Sequence, residues 1–437
     1  MRRFLAILAL VILAVLIGVL ATSRATVLLS LKAPIRVGIL HSRTGPMAVS
    51  ENSMVDAELL ALEELNANGG LLGRRVEWVI ADGSSDWPTF AREAERLIEQ
   101  EKVSVIFGCG ASASRKSVLP VVERHDHLLI YPNAYEGLEQ SRNIIYAGSA
   151  PNQHIMPAVK WTFDHLRARK YFIAGSDHIW SRAVSAIVAD TIQALGAEVV
   201  GEEYLLLSES RALPLVAKIK ATQPDVILST VTGNINISFY QELAAAKLGP
   251  DRIPVVTFGI AEEELRAFPV EAMVGNYAAW SYFQSIDRPE NREFVGKFQT
   301  KYPGNRVVSD GIATSYNSVR LWAQAVTEGN TDDVHVVRRL MSHQSYNGPE
   351  GIVTIDPDTR HAWRPVYIGK IRADGQFEIT WSSAKPIRPV PYPNSRSHEQ
   401  WQAFVDRLFQ SWGGRWSNPA SPRALASLPS VLNLTQE

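Results

Sequence analysis

An α/β fold built on parallel sheets is what this sequence predicts, and three observations carry the prediction. Short β-branched apolar runs alternate with stretches of helical periodicity along most of the chain. Turns rich in Gly, Ser and Asp separate them, of the kind that join a strand to a following helix. The alternation persists over about 400 residues at 46% hydrophobic content, enough for two or three domains with proper cores.

Residues 1–33 stand apart. Arg2 and Arg3 precede an apolar run from Phe4 to Leu20, and Ala21-Thr-Ser-Arg-Ala25 supplies small residues, so the segment reads as an export signal. Ser23-Arg24-Ala25 fits a cleavage site, while the run is nearly long enough to span a bilayer, which leaves an uncleaved membrane anchor as the alternative. The single cysteine, Cys109, excludes internal disulfides. A net charge of −1 without a basic run argues against nucleic acid or an anionic membrane as partner.

Strands are expected at residues 34–40, 75–81 and 102–107, with helices at 50–66 and 88–100 between them. Met54, Leu59, Leu62 and Leu65 share roughly one face of the first helix, which Asn68-Gly69-Gly70 ends. The third strand leads into Gly108-Cys-Gly-Ala-Ser-Ala-Ser114, a tight turn and helix start that Ser112 or Ser114 can cap. First-turn N–H groups there face outward and suit an electron-rich oxygen. A second corner follows at Tyr131-Pro-Asn-Ala-Tyr135, and parallel strands bring such corners to one crevice. The alternation continues through Lys170-Tyr-Phe-Ile-Ala-Gly-Ser-Asp-His178 and strands at 198–204 and 226–231, with another corner at Thr257-Phe-Gly-Ile-Ala261. Helices are expected at 289–301, 310–328 and 332–342, and runs 352–356 and 366–371 read as a hairpin. Past Lys385 the chain is proline-rich, with a helix at 398–412 and a polar tail after Gly413 expected to be mobile.

The motifs Val37-Gly-Ile-Leu-His-Ser42, Asn66-Ala-Asn-Gly-Gly-Leu-Leu-Gly73, Asp82-Gly-Ser-Ser-Asp-Trp-Pro88, Gly108-Cys109, Ser114-Arg-Lys116, Tyr135-Glu-Gly137, Ala150-Pro-Asn-Gln153, Ala261-Glu-Glu-Glu264 and Ile387-Arg-Pro389 occur in order along the chain. Together they resemble the urea- and short-amide-binding branch of the type I periplasmic solute-binding proteins. The resemblance implies a two-lobed type I periplasmic-binding-protein fold, with parallel sheets flanked by helices, three hinge crossings, no cofactor, and an ABC permease as partner. It implies a first lobe of residues 34–147 plus 281–344, a second of 148–280 plus 345–384, and a C-terminal extension of 385–437. It puts Ser112, Tyr131 and Asn133 on a small polar ligand, Gly110 and Cys109 at the corner beside them, His178 and Trp180 in the cleft, and Ser42 as lining. Pro151, Asn152 and Gln153 fall at a hinge. Where the family usually carries an aromatic after the Gly-Cys pair, this chain has Gly110, which is expected to remove a wall and enlarge the pocket. Trp180 either replaces that aromatic surface or packs under its own helix.

The sequence offers no catalytic arrangement of the nucleophile-elbow type. Neither Cys109 nor Ser112 has glycines two residues before and after it, as a nucleophile elbow needs. Cys109 reads as a reactive thiol at a helix start or, more simply, a buried spacer. His125-Asp-His127 lacks a third ligand at metal spacing, and Glu262-Glu-Glu264 suits a helix N-terminus for dipole reasons alone. The expected function is periplasmic capture of urea, a short amide or a related polar solute without chemistry; a membrane-tethered, amide-responsive receptor is the alternative.

Overall fold

A computed structural model describes residues 33–419. The expected export signal lies outside the described residues, and among them no helix is long and apolar enough to cross a membrane.

Two α/β lobes form, each around its own sheet. The first sheet takes β1 (Ile35–His41), β2 (Val76–Asp82), β3 (Ile106–Gly108), β4 (Leu129–Tyr131) and β5 (Ile144–Tyr146), in the order β2-β1-β3-β4-β5 and parallel throughout. β1, β3 and β4 are short, almost wholly apolar and buried, as central strands covered by helices on both faces must be. The second lobe holds β6 (Lys170–Ser176), β7 (Glu198–Leu205), β8 (Val226–Thr230), β9 (Val255–Thr257) and β10 (Tyr277–Trp280), all parallel.

A small antiparallel sheet of β11 (Ser345–Gly348), β12 (Gly351–Ile355) and β13 (Ala362–Trp363) comes next. Then β14 (Tyr367–Ile371) and β15 (Phe377–Ser382) return to the second sheet, whose order is β15-β14-β10-β9-β8-β6-β7. The expected hairpin between 352–356 and 366–371 therefore does not form: β12 pairs with β11 and β13, and β14 with β10 and β15. Val353, Ile355 and Ala362 pack into the first lobe's core. The third crossing thus falls near Arg364, later than residue 345, where the second lobe was expected to resume. Arg364 is fully buried there, 2.8 Å from Asp310 and 2.5 Å from Glu350. That buried pairing, not local turn chemistry, marks the crossing.

Pro151, Asn152 and Gln153, the expected hinge, make a 3₁₀ turn between the sheets. The Gln153 amide donates to the carbonyls of Ala362 (2.9 Å) and Ile387 (2.6 Å), and that of Asn152 to Arg388 (2.7 Å), so the C-terminal extension is tied to this crossing. Ser149 Oγ and Ser281 Oγ, from two neighbouring crossings, lie 2.5 Å apart. The helix His398–Ser411 buries Trp401, Phe404 and Leu408 in the second lobe's core. The tail after Gly413, expected to be mobile, is fastened to the cleft as far as Asn418.

Candidate functional site

The cleft between the lobes starts from a tight corner. After β3 the Gly108 backbone adopts φ +149°, and a Cβ there would lie 2.1 Å from the Leu40 carbonyl, so only glycine fits. Cys109 follows at φ +63°, its N–H donating to Leu40 O at 2.9 Å. The helix Ser112–Arg124 then begins with no side-chain cap, and the N–H groups of Ser112 and Ala113 find no acceptor among the described residues.

A cavity of about 180 Å³ opens in front of that helix end. Ser112, Tyr131, Asn133 and Gly110 line it from the first lobe, with Met47, Met54 and Trp87; His178, Trp180, Phe258, Phe268 and Trp280 line it from the second. Asp310 and Glu264 are its acidic members, and no lysine or arginine reaches it among the described residues. Desolvation lifts the Glu264 carboxyl to about 7. Burial likewise raises Asp310, opposed by Arg364.

Polar groups on the first-lobe wall are already engaged from behind. The Ser112 hydroxyl donates to the Glu136 carboxylate, and Arg115 Nη1 donates to Ser112 Oγ at 3.3 Å. Toward the cleft, Ser112 is therefore an acceptor. Asn133 Nδ2 donates to Gly110 O at 2.6 Å and braces the corner. The Tyr131 hydroxyl is buried close to Ser112 but makes no hydrogen bond of good geometry among the described residues, and burial raises its pKa, so it stays a phenol able to donate.

Residues 35–398 match the family model described as periplasmic binding protein domain. The chain belongs to that family. It is 21% identical over 330 residues to the leucine-, isoleucine-, valine-, threonine-, and alanine-binding protein of Pseudomonas aeruginosa, which covers 74% of this chain and 86% of that one. A solute-binding protein of an ABC transporter from R. palustris, solved with 4-hydroxybenzoate, superposes with a TM-score of 0.74 at 22% identity, over 81% of this chain and 98% of that one. A stretch of 140 residues is 35% identical to a protein named limonene hydroxylase from Geobacillus stearothermophilus; it covers 31% of this chain and spans about a quarter (26%) of that relative.

Within this periplasmic-binding-protein fold, six of the eight expected ligand-site residues share the cleft: Ser112, Tyr131, Asn133, Gly110, His178 and Trp180. Trp180 stands beside the His178 ring, 5.9 Å between centroids and nearly parallel, and faces the cavity. Cys109 and Ser42 do not line it. Cys109 is fully buried in the first lobe's core, and burial pushes its thiol well up, which fits a spacer rather than a nucleophile. Ser42 is buried with its N–H donating to Glu51 Oε2 at 2.6 Å.

Glu51 also corrects the expectation for Gly110. A Cβ on residue 110 would lie 2.4 Å from Glu51 Cγ and Cδ, so that space is occupied by a buried carboxylate and the pocket gains nothing from the missing aromatic. Behind Glu51, His41 sits between two acids, 3.6 Å from Glu51 Oε2 and 3.0 Å from Glu58 Oε1. Burial pulls its pKa down, yet the two glutamates raise it to about 9, leaving an imidazolium in the core at neutral pH.

The sequence reading named no role for Trp87, Phe258, Trp280 and Asp310. Trp87 is the first residue of the helix after β2, as Ser112 is of the helix after β3, and Phe258 sits between β9 and the next helix, so both carry a strand-to-helix positional signal. Trp280 and Asp310 reach the cleft from the second crossing and from a helix start, where no local pattern singles them out. His127, in the motif weighed for metal, is spent on the Val103 carbonyl at 2.8 Å.

Proposed function

We propose that this protein is an extracytoplasmic solute-binding protein that closes two lobes on one small molecule with an uncharged polar end and an apolar body, and passes it unaltered to an ABC-type permease. The lining carries the reading: three tryptophans and two phenylalanines surround the cavity, and its acidic side chains are Glu264 and Asp310, with no basic one beside them among the described residues. A carboxylate end would meet those acids with no cation in reach, and an unpaired buried charge is costly. A carboxamide suits the wall on both counts. Its oxygen accepts from the first turn of the Ser112 helix and the Tyr131 hydroxyl, and its N–H donates to Ser112 Oγ.

Urea has the right polar end but would leave most of a cavity of about 180 Å³ unfilled. The relatives named for leucine-type amino acids and for 4-hydroxybenzoate support an apolar body of branched or aromatic size. The N-terminal apolar run supports export. Its length favours a second reading, a tethered ligand-responsive receptor, which an intact-mass measurement of the mature protein separates from a released one.

The test is thermal stabilisation of the purified protein by benzamide, benzoate, leucine and urea. At a hundred times its Kd a ligand stabilises by about 2.7 kcal/mol. Benzamide should give the largest shift, with no ammonia released, and Ser112→Ala should weaken its binding roughly tenfold, halving the stabilisation at the same concentration to about 1.4 kcal/mol. A benzoate shift equal to that of benzamide removes the uncharged end from the proposal.

A further inference from the structure

The family match ends at residue 398, and the helix His398–Ser411 with its continuation lies beyond it. That continuation returns to the ligand cleft. Gly413 and Gly414, at φ +65° and +75°, turn the chain back, and Trp416 O accepts the Ile179 N–H at 3.0 Å. Ser417 forms a β-bridge with His178. Asn418 N donates to Asp177 O at 3.0 Å and its Nδ2 to the Asp177 carboxylate at 2.6 Å. These are mostly backbone bonds, and all of them go to the second lobe.

Toward the first lobe the same segment makes two lighter contacts. Trp87 Nε1 donates to Ser417 Oγ at 3.4 Å, and the Lys116 ammonium lies 5.2 Å from the centre of the Trp416 ring. Trp87 and His178 both line the cleft, so the segment spans its mouth. A piece of chain held firmly on one lobe and lightly on the other can let go of the second without leaving the first.

We propose that residues 413–418 are a latch that fastens the two lobes across the mouth of the cleft and biases the protein toward its closed form. Losing one weak hydrogen bond and one cation–π contact should raise the open-to-closed ratio roughly tenfold.

Small-angle X-ray scattering of the protein without added ligand reads this directly and does not depend on the proposed solute. Trp416→Leu with Ser417→Ala keeps the backbone bonds to the second lobe and removes both first-lobe contacts. The double variant should show a larger radius of gyration than the unsubstituted chain, and a chain stopped after Trp412 a larger one than a chain stopped after Pro419. A double variant with native circular dichroism and an unchanged scattering profile overturns the latch. Failure of every solute in the thermal panel would count against the proposed ligand class and leave this result standing.

Discussion

The two lobes meet the cleft with the same device and use it differently. In each, a strand of the parallel sheet turns into a helix whose first turn lacks a side-chain cap: Ser112–Arg124 after β3, Ile179–Ala194 after β6. In each, the fourth helical residue is a buried arginine against an acid and a tyrosine ring. Arg115 lies 2.8 Å from Glu139, 3.1 Å from Glu136 and 4.3 Å from the Tyr135 ring centre; Arg182 lies 2.7 Å from Asp177 and 3.5 Å from that of Tyr204. The first corner leaves its N–H groups open to the cavity. The second gives Ile179 N–H to the chain's own Trp416 carbonyl. Two like halves thus meet the cleft unequally, the first with open N–H groups beside Ser112 and Tyr131, the second with its leading N–H taken up and His178, Trp180, Phe258 and Trp280 along the wall.

The largest expected effect tests the paired arginines. Arg115→Met leaves Glu136 and Glu139 buried without their guanidinium and should cost about 4 kcal/mol in urea unfolding. Arg182→Met should cost about half as much, roughly 2 kcal/mol, because Arg182 pairs one buried acid where Arg115 pairs two, and Asp177 keeps its bond from Asn418 at 2.6 Å. Equal losses would dissolve the asymmetry between the corners.

Next comes pH, through two buried histidines shifted in opposite directions. His41, at the end of β1, is raised to about 9, so its contribution is complete below pH 6.5 and is lost as pH climbs toward 9. His154, at the first crossing, is lowered by burial to about 4 against its bond to Ala279 O; its contribution is complete above pH 6.5 and is lost as pH falls toward 4. Each of these two histidines should contribute on the order of 3 kcal/mol to its arm, the acid arm being shared with His178 and His361, which burial also lowers to about 4; urea midpoints across pH read both arms, and His154→Asn should shrink the acid one. His41→Asn should flatten the alkaline arm alone.

A smaller effect compares two cleft glycines. Gly110→Ala drives a Cβ into Glu51 and should cost about 2 kcal/mol. Gly233→Ala, in the second lobe at φ +76° with nothing within 4 Å of the new Cβ, should cost about 1 kcal/mol for its backbone conformation alone. Thermal melts of both, and of Gly110→Ala combined with Glu51→Ala, show whether Glu51 sets the difference.

Local signals in the sequence determined the α/β alternation, the parallel sheets and the corners that carry Ser112, Tyr131, Asn133, His178 and Trp180. Period and turn chemistry are properties of a few consecutive residues and survive without knowledge of the rest. Only the tertiary structure decided that Glu51 fills the space beside Gly110, that β11 to β13 pack on the first lobe, and that Trp416 closes the end of the Ile179 helix. Each of these joins residues tens to hundreds of positions apart. No local rule constrains such a pairing; packing a filled core and pairing most of its buried polar groups select it.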